Sequence, residues 1–349
     1  MIKTLVSSLI ASVLCLHVSA SNAAAEFKIV TASERGTYIQ IGRDIASLIA
    51  APADIDLQVL PSAGSAENVR RLRYEPGVKL AIVQSDVYQA FLDLAGGGNR
   101  EAGDMIRPLR VIMPLYNEEI YFLARADSEL THVHDIRDAR INAGEIGSGT
   151  ALTTSTLYRL MFGSAMPDGR TSFLSNEDAL VKLIDNKTVD VVAVVAGQPA
   201  KLLADMKPEA RQFIKLLRVD SSHPSTRAAL RTYFPATVRA TSYPNLLSED
   251  VPSFAVRAFL VTYDYNLNQT KHSMARLAQS LCQNFSALQS KGHPKWREVE
   301  LSLPDLGRGW IYYTPTAKEI RFCSIAALAK SSRPLRECSQ HERILGLCG

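Results

Sequence analysis

Past residue 25 the sequence has no apolar run near the roughly 18 residues that cross a bilayer, which excludes a polytopic membrane protein. It has no dense Lys/Arg block. The tightest cluster, Arg70, Arg71 and Arg73, reads as one solvated helix face, and a net charge of +4 over 349 residues is too dilute to argue for nucleic acid. No G-x-S-x-G elbow and no H-E-x-x-H occur. His132-Val133-His134 reads as a surface loop, because an H-x-H pair needs a third ligand that the sequence does not show. Gly96-Gly97-Gly98 reads as a loop tip, since no P-loop Lys-Ser/Thr helix follows it. Glu118 and Glu119 are adjacent, so on a strand they face opposite ways and do not form a carboxylate pair in one cleft. No nucleophile, base or metal constellation is left, and neither an enzyme nor a cofactor is expected.

What is present is an ordinary globular balance, 46% hydrophobic and 21% charged residues. Lys3, a short apolar stretch and the small residues Ser21-Asn22-Ala23-Ala24-Ala25 read as a cleaved export signal over 1–25, which places the mature chain in the periplasm. Of five cysteines, Cys282, Cys323, Cys338 and Cys348 follow that segment. An even number in an exported chain suggests two disulfides, with three connectivities open, and the spacings match no zinc site. Nine residues separate Cys338 from Cys348, so that pair closes easily; the matching pair is then Cys282 with Cys323.

Downstream of the signal the pattern is short apolar strand, Gly/Ser/Thr-rich turn, amphipathic helix, repeated. Strands are expected at 27–31, 57–60, 79–83, 109–114 and 120–124, and again at 140–143, 189–195, 213–219 and 253–262. Helices follow the loops after 36, 64, 86, 149, 178 and 199, and a long one follows 262. This alternation argues for an α/β protein of two lobes, each with a mainly parallel sheet. Lobe 1 is discontinuous, 26–124 and 253–321. Lobe 2 is 125–252, and two strands crossing between the lobes form a hinge. A cysteine-bearing extension occupies 322–349.

Four strand-to-helix loops combine Gly with Ser, Thr or Gln: Arg35-Gly36-Thr37-Tyr38, Ser62-Ala63-Gly64-Ser65, Gly147-Ser148-Gly149-Thr150 and Gly197-Gln198-Pro199. A fifth is Gln84-Ser85-Asp86. In parallel α/β sheets ligands sit beyond the carboxyl ends of strands. Helix starts there present unpaired N–H groups and a partial positive charge, which suit a carboxylate or similar anion.

These motifs carry a resemblance. Gly36-Thr37-Tyr38, the run from Pro61 through Gly64-Ser65 to Asn68, Gln84-Ser85-Asp86, Gly147-Ser148-Gly149-Thr150, and Ala196-Gly197-Gln198-Pro199-Ala200 resemble, in order, motifs of the TAXI-type solute receptors of TRAP transporters. Tyr243-Pro244 and the segment from Glu249 to Pro252 resemble that family's return crossing. The resemblance implies the type II periplasmic binding protein fold and a monomeric receptor. Such a receptor closes on a small organic anion or amino acid and delivers it to TRAP-type membrane subunits. It implies a carboxylate clamped between the 148–150 helix start and the 62–65 loop, with Arg35 adding a charged contact and Tyr38 walling the pocket. The first loop departs from the family's glycine-rich form, reading Ser33-Glu34-Arg35, and 322–349 has no counterpart there. The rival reading is a ligand-sensing or partner-binding module on the same fold without transport.

Overall fold

The computed structural model describes residues 24–34, 36–185, 187–306 and 309–331, the side chains of 324–331 excepted. The expected signal segment, apart from Ala24 and Ala25, and Arg35, Cys338 and Cys348 lie outside the described residues.

The chain begins with strands β1 (Ala25–Val30), β2 (Ile55–Leu60) and β3 (Val78–Gln84), which pair in parallel with β1 in the middle. Helices α1 (Thr37–Ile45), α2 (Ser65–Tyr74), α3 (Val87–Gly96) and α4 (Arg100–Ile106) cover them. β4 (Leu109–Arg125) then leads out of this half. The second half has β5 (Ile141–Asn142), α5 (Gly149–Phe162), β6 (Thr171–Ser172), α6 (Asn176–Ile184) and β7 (Val191–Ala196). It continues with α7 (Lys201–Ala204), β8 (Ile214–Leu216), α8 (Pro224–Ala229) and β9 (Phe234–Val238). β5 pairs in parallel with β6 and β7. β10 (Val251–Tyr263) returns to the first half, where α9 (Asn268–Lys291) and α10 (Thr314–Ser331) complete it.

The sheet runs β2-β1-β3-β10-β4-β7-β5-β6, with β8 on β4 and β9 on β10. Its antiparallel pairs all involve β4 or β10, and the strands of each half away from these two are parallel. Alternation along each strand feeds cores on both faces of each half. In β4, Ile120 and Phe122 join one core of the second half, and Tyr121 and Leu123 the other. Earlier in β4, Met113 and Tyr116 belong to the first half. β10 makes the reverse change between Val256 and Ala258. The two strands cross between the halves where Asn117 faces Arg257. The α/β class expected from the sequence is the one observed.

Several elements differ from the expected ones. The strands at 109–114 and 120–124 are a single seventeen-residue strand. Residues 115–119 contain no glycine or turn pair to end it, and Pro114, which lacks an N–H, falls where the register with β10 shifts. The strands at 140–143 and 213–219 shrink to two and three residues. β9, on an exposed and polar-bounded segment, was not expected. The sheet begins at Ala25, paired with Ile55, at the last residue assigned to the export signal. A disulfide joins Cys282 in α9 to Cys323 in α10.

Candidate functional site

A cavity of about 720 Å³ lies between the halves. Of the residues singled out in the sequence, Gly36, Thr37, Tyr38, Gly64, Ser65, Gln84, Ser148, Gly149 and Thr150 line it. They converge because each lies where a strand hands over to a helix at the sheet edge facing the other half. Ser148 caps α5, its Oγ accepting the N–H of Ala151 at 3.0 Å. The first N–H groups of a helix have no partner within it, so the backbone of Gly149 and Thr150 presents donors at the cavity wall. The Thr150 Oγ1 accepts the N–H of Val195 at 3.3 Å, fixing the helix start to β7.

The 62–65 loop and the 148–150 helix start do not stand apart with room for an anion between them. They touch. A Cβ on Gly64 would lie 2.9 Å from the Gly149 nitrogen, and one on Gly149 would lie 2.0 Å from Gln84 Oε1. The N–H of Glu67 donates to the carbonyl of Gly147 at 3.3 Å across the same seam. Glycine is required here by close approach, and Gly64 also has a φ of 129°. The cavity opens to one side of this contact.

Ser62, Asp86, Gly197 and Gln198 are off the wall. Ser62 shapes its own loop: its hydroxyl donates to Asn68 Oδ1 at 2.6 Å and accepts the Gly64 N–H at 3.1 Å. Asp86 is buried behind the wall. Gly197 accepts the Thr37 hydroxyl on its carbonyl at 3.5 Å. Gln198 braces β9, accepting the Arg239 N–H at 2.6 Å. The residues just after it, Ala200, Lys201 and Leu202, line the cavity in its place.

Three groups in the wall were not among the residues expected to hold a ligand. The start of α6, with Ser175, Asn176 and Glu177, opens onto the cavity as α5 does, and Ser175 Oγ accepts the Asp178 N–H at 3.1 Å. Its Ser-x-x-Asp sequence follows a strand in the same pattern as the other loops, a signal that could have placed it. Glu34, Glu145 and Asp205 add carboxylates at the wall. The third is Glu118, which the sequence set aside because it cannot share one cleft with its neighbour Glu119. Glu118 faces the cavity, is 3% exposed, and accepts the Tyr38 hydroxyl on Oε2 at 2.6 Å. Burial pushes its carboxyl up to about 7, against the opposing bonds from Tyr38 and Gln84. Burial, then the Glu118 charge, raises the Tyr38 phenol far above its ordinary range. Glu119 points away to Lys295 Nζ at 3.1 Å. Among the described lining residues five are acidic and one basic, Lys201, which pairs with Asp205 at 2.5 Å.

The histidine pair proves to have a third neighbour. His132 and His134 stack at 5.0 Å, and His134 stacks on His223 at 3.9 Å, with the rings nearly parallel. Among the described residues no group of His, Cys, Asp and Glu could hold a metal ion.

The model of the NMT1-like family matches residues 29–305. Among solved structures, the chain is similar to the periplasmic binding protein BugD, at 12% identity over 88% of this chain and 97% of that one, with a TM-score of 0.48. It is similar to XAC2383 from Xanthomonas citri bound to ATP, at 11% identity over 89% and 99%, with a TM-score of 0.44. It is also similar to the periplasmic aliphatic sulphonate binding protein SsuA from Escherichia coli, at 14% identity over 89% and 84%, with a TM-score of 0.42.

Proposed function

The chain belongs to the NMT1-like family, and from that membership and its cavity we propose that it is a periplasmic solute-binding receptor of the TAXI type. It closes on a small carboxylate or amino-acid-like ligand and delivers it to a TRAP-type membrane transporter. The halves act as lobes, 26–124 with 253–321 against 125–252, and bend where β4 and β10 cross. The observation that carries the reading is the cavity of about 720 Å³ lined from both halves, with the starts of α5 and α6 opening onto it. Interdomain clefts of this size suit one small molecule. The N–H groups at the two helix starts suit a carboxylate. Glu118 and the other acidic residues of the wall suit an ammonium group, which favours amino acids within that class.

The protein is read as non-enzymatic: among the described residues of the wall no activated nucleophile stands beside a base. Isothermal titration of the purified protein against a panel of amino acids and small carboxylates tests the receptor. Saturable binding of at least one member is expected. A folded protein that binds none overturns the reading. Gly149 is the residue whose replacement most directly disturbs the helix start, and Gly149→Ala weakens that binding at least tenfold. Unchanged affinity removes the α5 start from the site.

A further inference from the structure

Asp86 lies between β3 and α3, at the N-cap position of α3, and is 3% exposed. Besides its own backbone N–H, two side-chain hydroxyls of the opposite half donate to its carboxyl. Thr153 Oγ1 in α5 donates to Oδ2 at 2.7 Å, and the Tyr233 hydroxyl donates to the same oxygen at 2.9 Å. Among the described residues no side chain of another residue bonds Oδ1, which is buried. Among the described residues no cation pairs with this carboxyl. On the elements packed against it, Arg159 of α5 pairs with Asp93 of α3, on the same seam. Arg231, near Tyr233, is exposed, and the Arg257 guanidinium of β10 lies over the Phe234 ring at 5.0 Å. Tyr233 itself is held neutral by burial and by Asp86. A buried carboxylate with no counter-ion is costly, and a proton removes that cost.

We propose that this seam is a proton-sensitive latch: closing the halves over a solute takes up a proton on Asp86, so capture strengthens as the medium acidifies. The inference rests on the receptor reading above. Separation of Thr153 and Tyr233 from Asp86 hydrates the carboxyl, which then returns toward its ordinary value of 3.8, whereas burial in the closed form holds it at about 6. The proton therefore binds the closed form more tightly. Its contribution to closure is complete below 3.8 and is lost as the pH rises through 6. From pH 7.5 to pH 5 the two values give about a tenfold shift of the equilibrium toward closure.

Small-angle X-ray scattering of the purified protein without added solute, at pH 7.5 and pH 5, reads the population directly. Glu118 also titrates in this range, so the comparison with Asp86→Asn isolates the latch. Circular dichroism confirms that the variant is folded. The wild type is expected to become more compact on acidification, with Asp86→Asn losing about a tenfold share of that response. A wild-type curve that does not change with pH, or an Asp86→Asn response equal to the wild type, overturns the latch. A solute found by titration separates the two readings. Binding with pH-independent affinity overturns the latch and leaves the receptor standing. A pH-dependent compaction in a protein that binds no panel member supports the latch and overturns the receptor.

Discussion

Glu118 shows what a single residue can reveal that its sequence context conceals. Next to Glu119 it suggests a pair, and the alternation of a strand separates the two. The consequence is a carboxyl that faces the cavity without Glu119, raised by burial to about 7. Its ordinary value is 4.5, so the folded state binds its proton more tightly than the unfolded chain does. Stability is therefore lost as the pH rises from about 4.5 to about 7, by up to about 3 kcal/mol. Urea unfolding of the wild type and Glu118→Gln at pH 5 and pH 8 checks this. The variant is expected to lose less stability between the two conditions, and parallel losses would refute the assignment. Gly149 makes the complementary point about space. A methyl group there would meet Gln84 Oε1 at 2.0 Å, and the buried Gln84 has little room to move. Gly149→Ala is expected to cost about 1–3 kcal/mol through overpacking. A melting temperature equal to that of the wild type would show that the seam yields more easily than its geometry implies.

At the level of elements, the strand–loop–helix grammar was legible because each unit needs its own apolar strand and its own turn. Ile41 and Ile45 on α1 and the run Val191–Ala196 are found where periodicity places them. What was not legible depends on partners far away in sequence. β4 passes through both halves because β10 pairs along most of its length, a fact absent from residues 109–125 taken alone. The site followed the same rule: helix starts could be read from their Gly and Ser, but Glu118 could not, since nothing local marks which face of a strand meets a cavity. At the C-terminal end, the pairing of Cys282 with Cys323 closes a separation of 41 residues. By loop-closure entropy such a bridge is worth about 4 kcal/mol. Reduction, or Cys282→Ser with Cys323→Ser, is expected to lower the melting temperature and to loosen α9 against α10. Hydrogen exchange that leaves those helices equally protected would show that their packing suffices without the bridge.

The whole molecule turns on how its crossing strands are held, and the most vulnerable point of that arrangement is a fully buried lysine. Lys295 follows α9, is 0% exposed, and places Nζ 3.1 Å from Glu119 Oε1 and 2.8 Å from Glu298 Oε2. Glu119 lies on β4 at the crossing and accepts the Gln198 N–H of the second half on its other oxygen at 2.8 Å. One carboxylate thus ties together the C-terminal turn, the hinge strand and the loop leading to α7. A methyl group on Gly197 would lie 3.2 Å from Lys295 Cε, so the lysine stem fills this junction as well as charging it. An ion pair that replaced well-packed apolar groups adds little net stability, but removing one partner leaves a buried charge unpaired and costs about 3–5 kcal/mol. Lys295→Met is therefore expected to be strongly destabilising, and adding Glu119→Leu to it is expected to restore much of the loss. A double-mutant cycle by chemical denaturation measures the coupling. If Lys295→Met alone proves nearly neutral, Glu119 has accepted a proton or another partner, and the hinge is not held by this charge. If the double variant recovers stability yet the proposed solute binding weakens, the pair serves to set the angle between the halves rather than to hold the fold together.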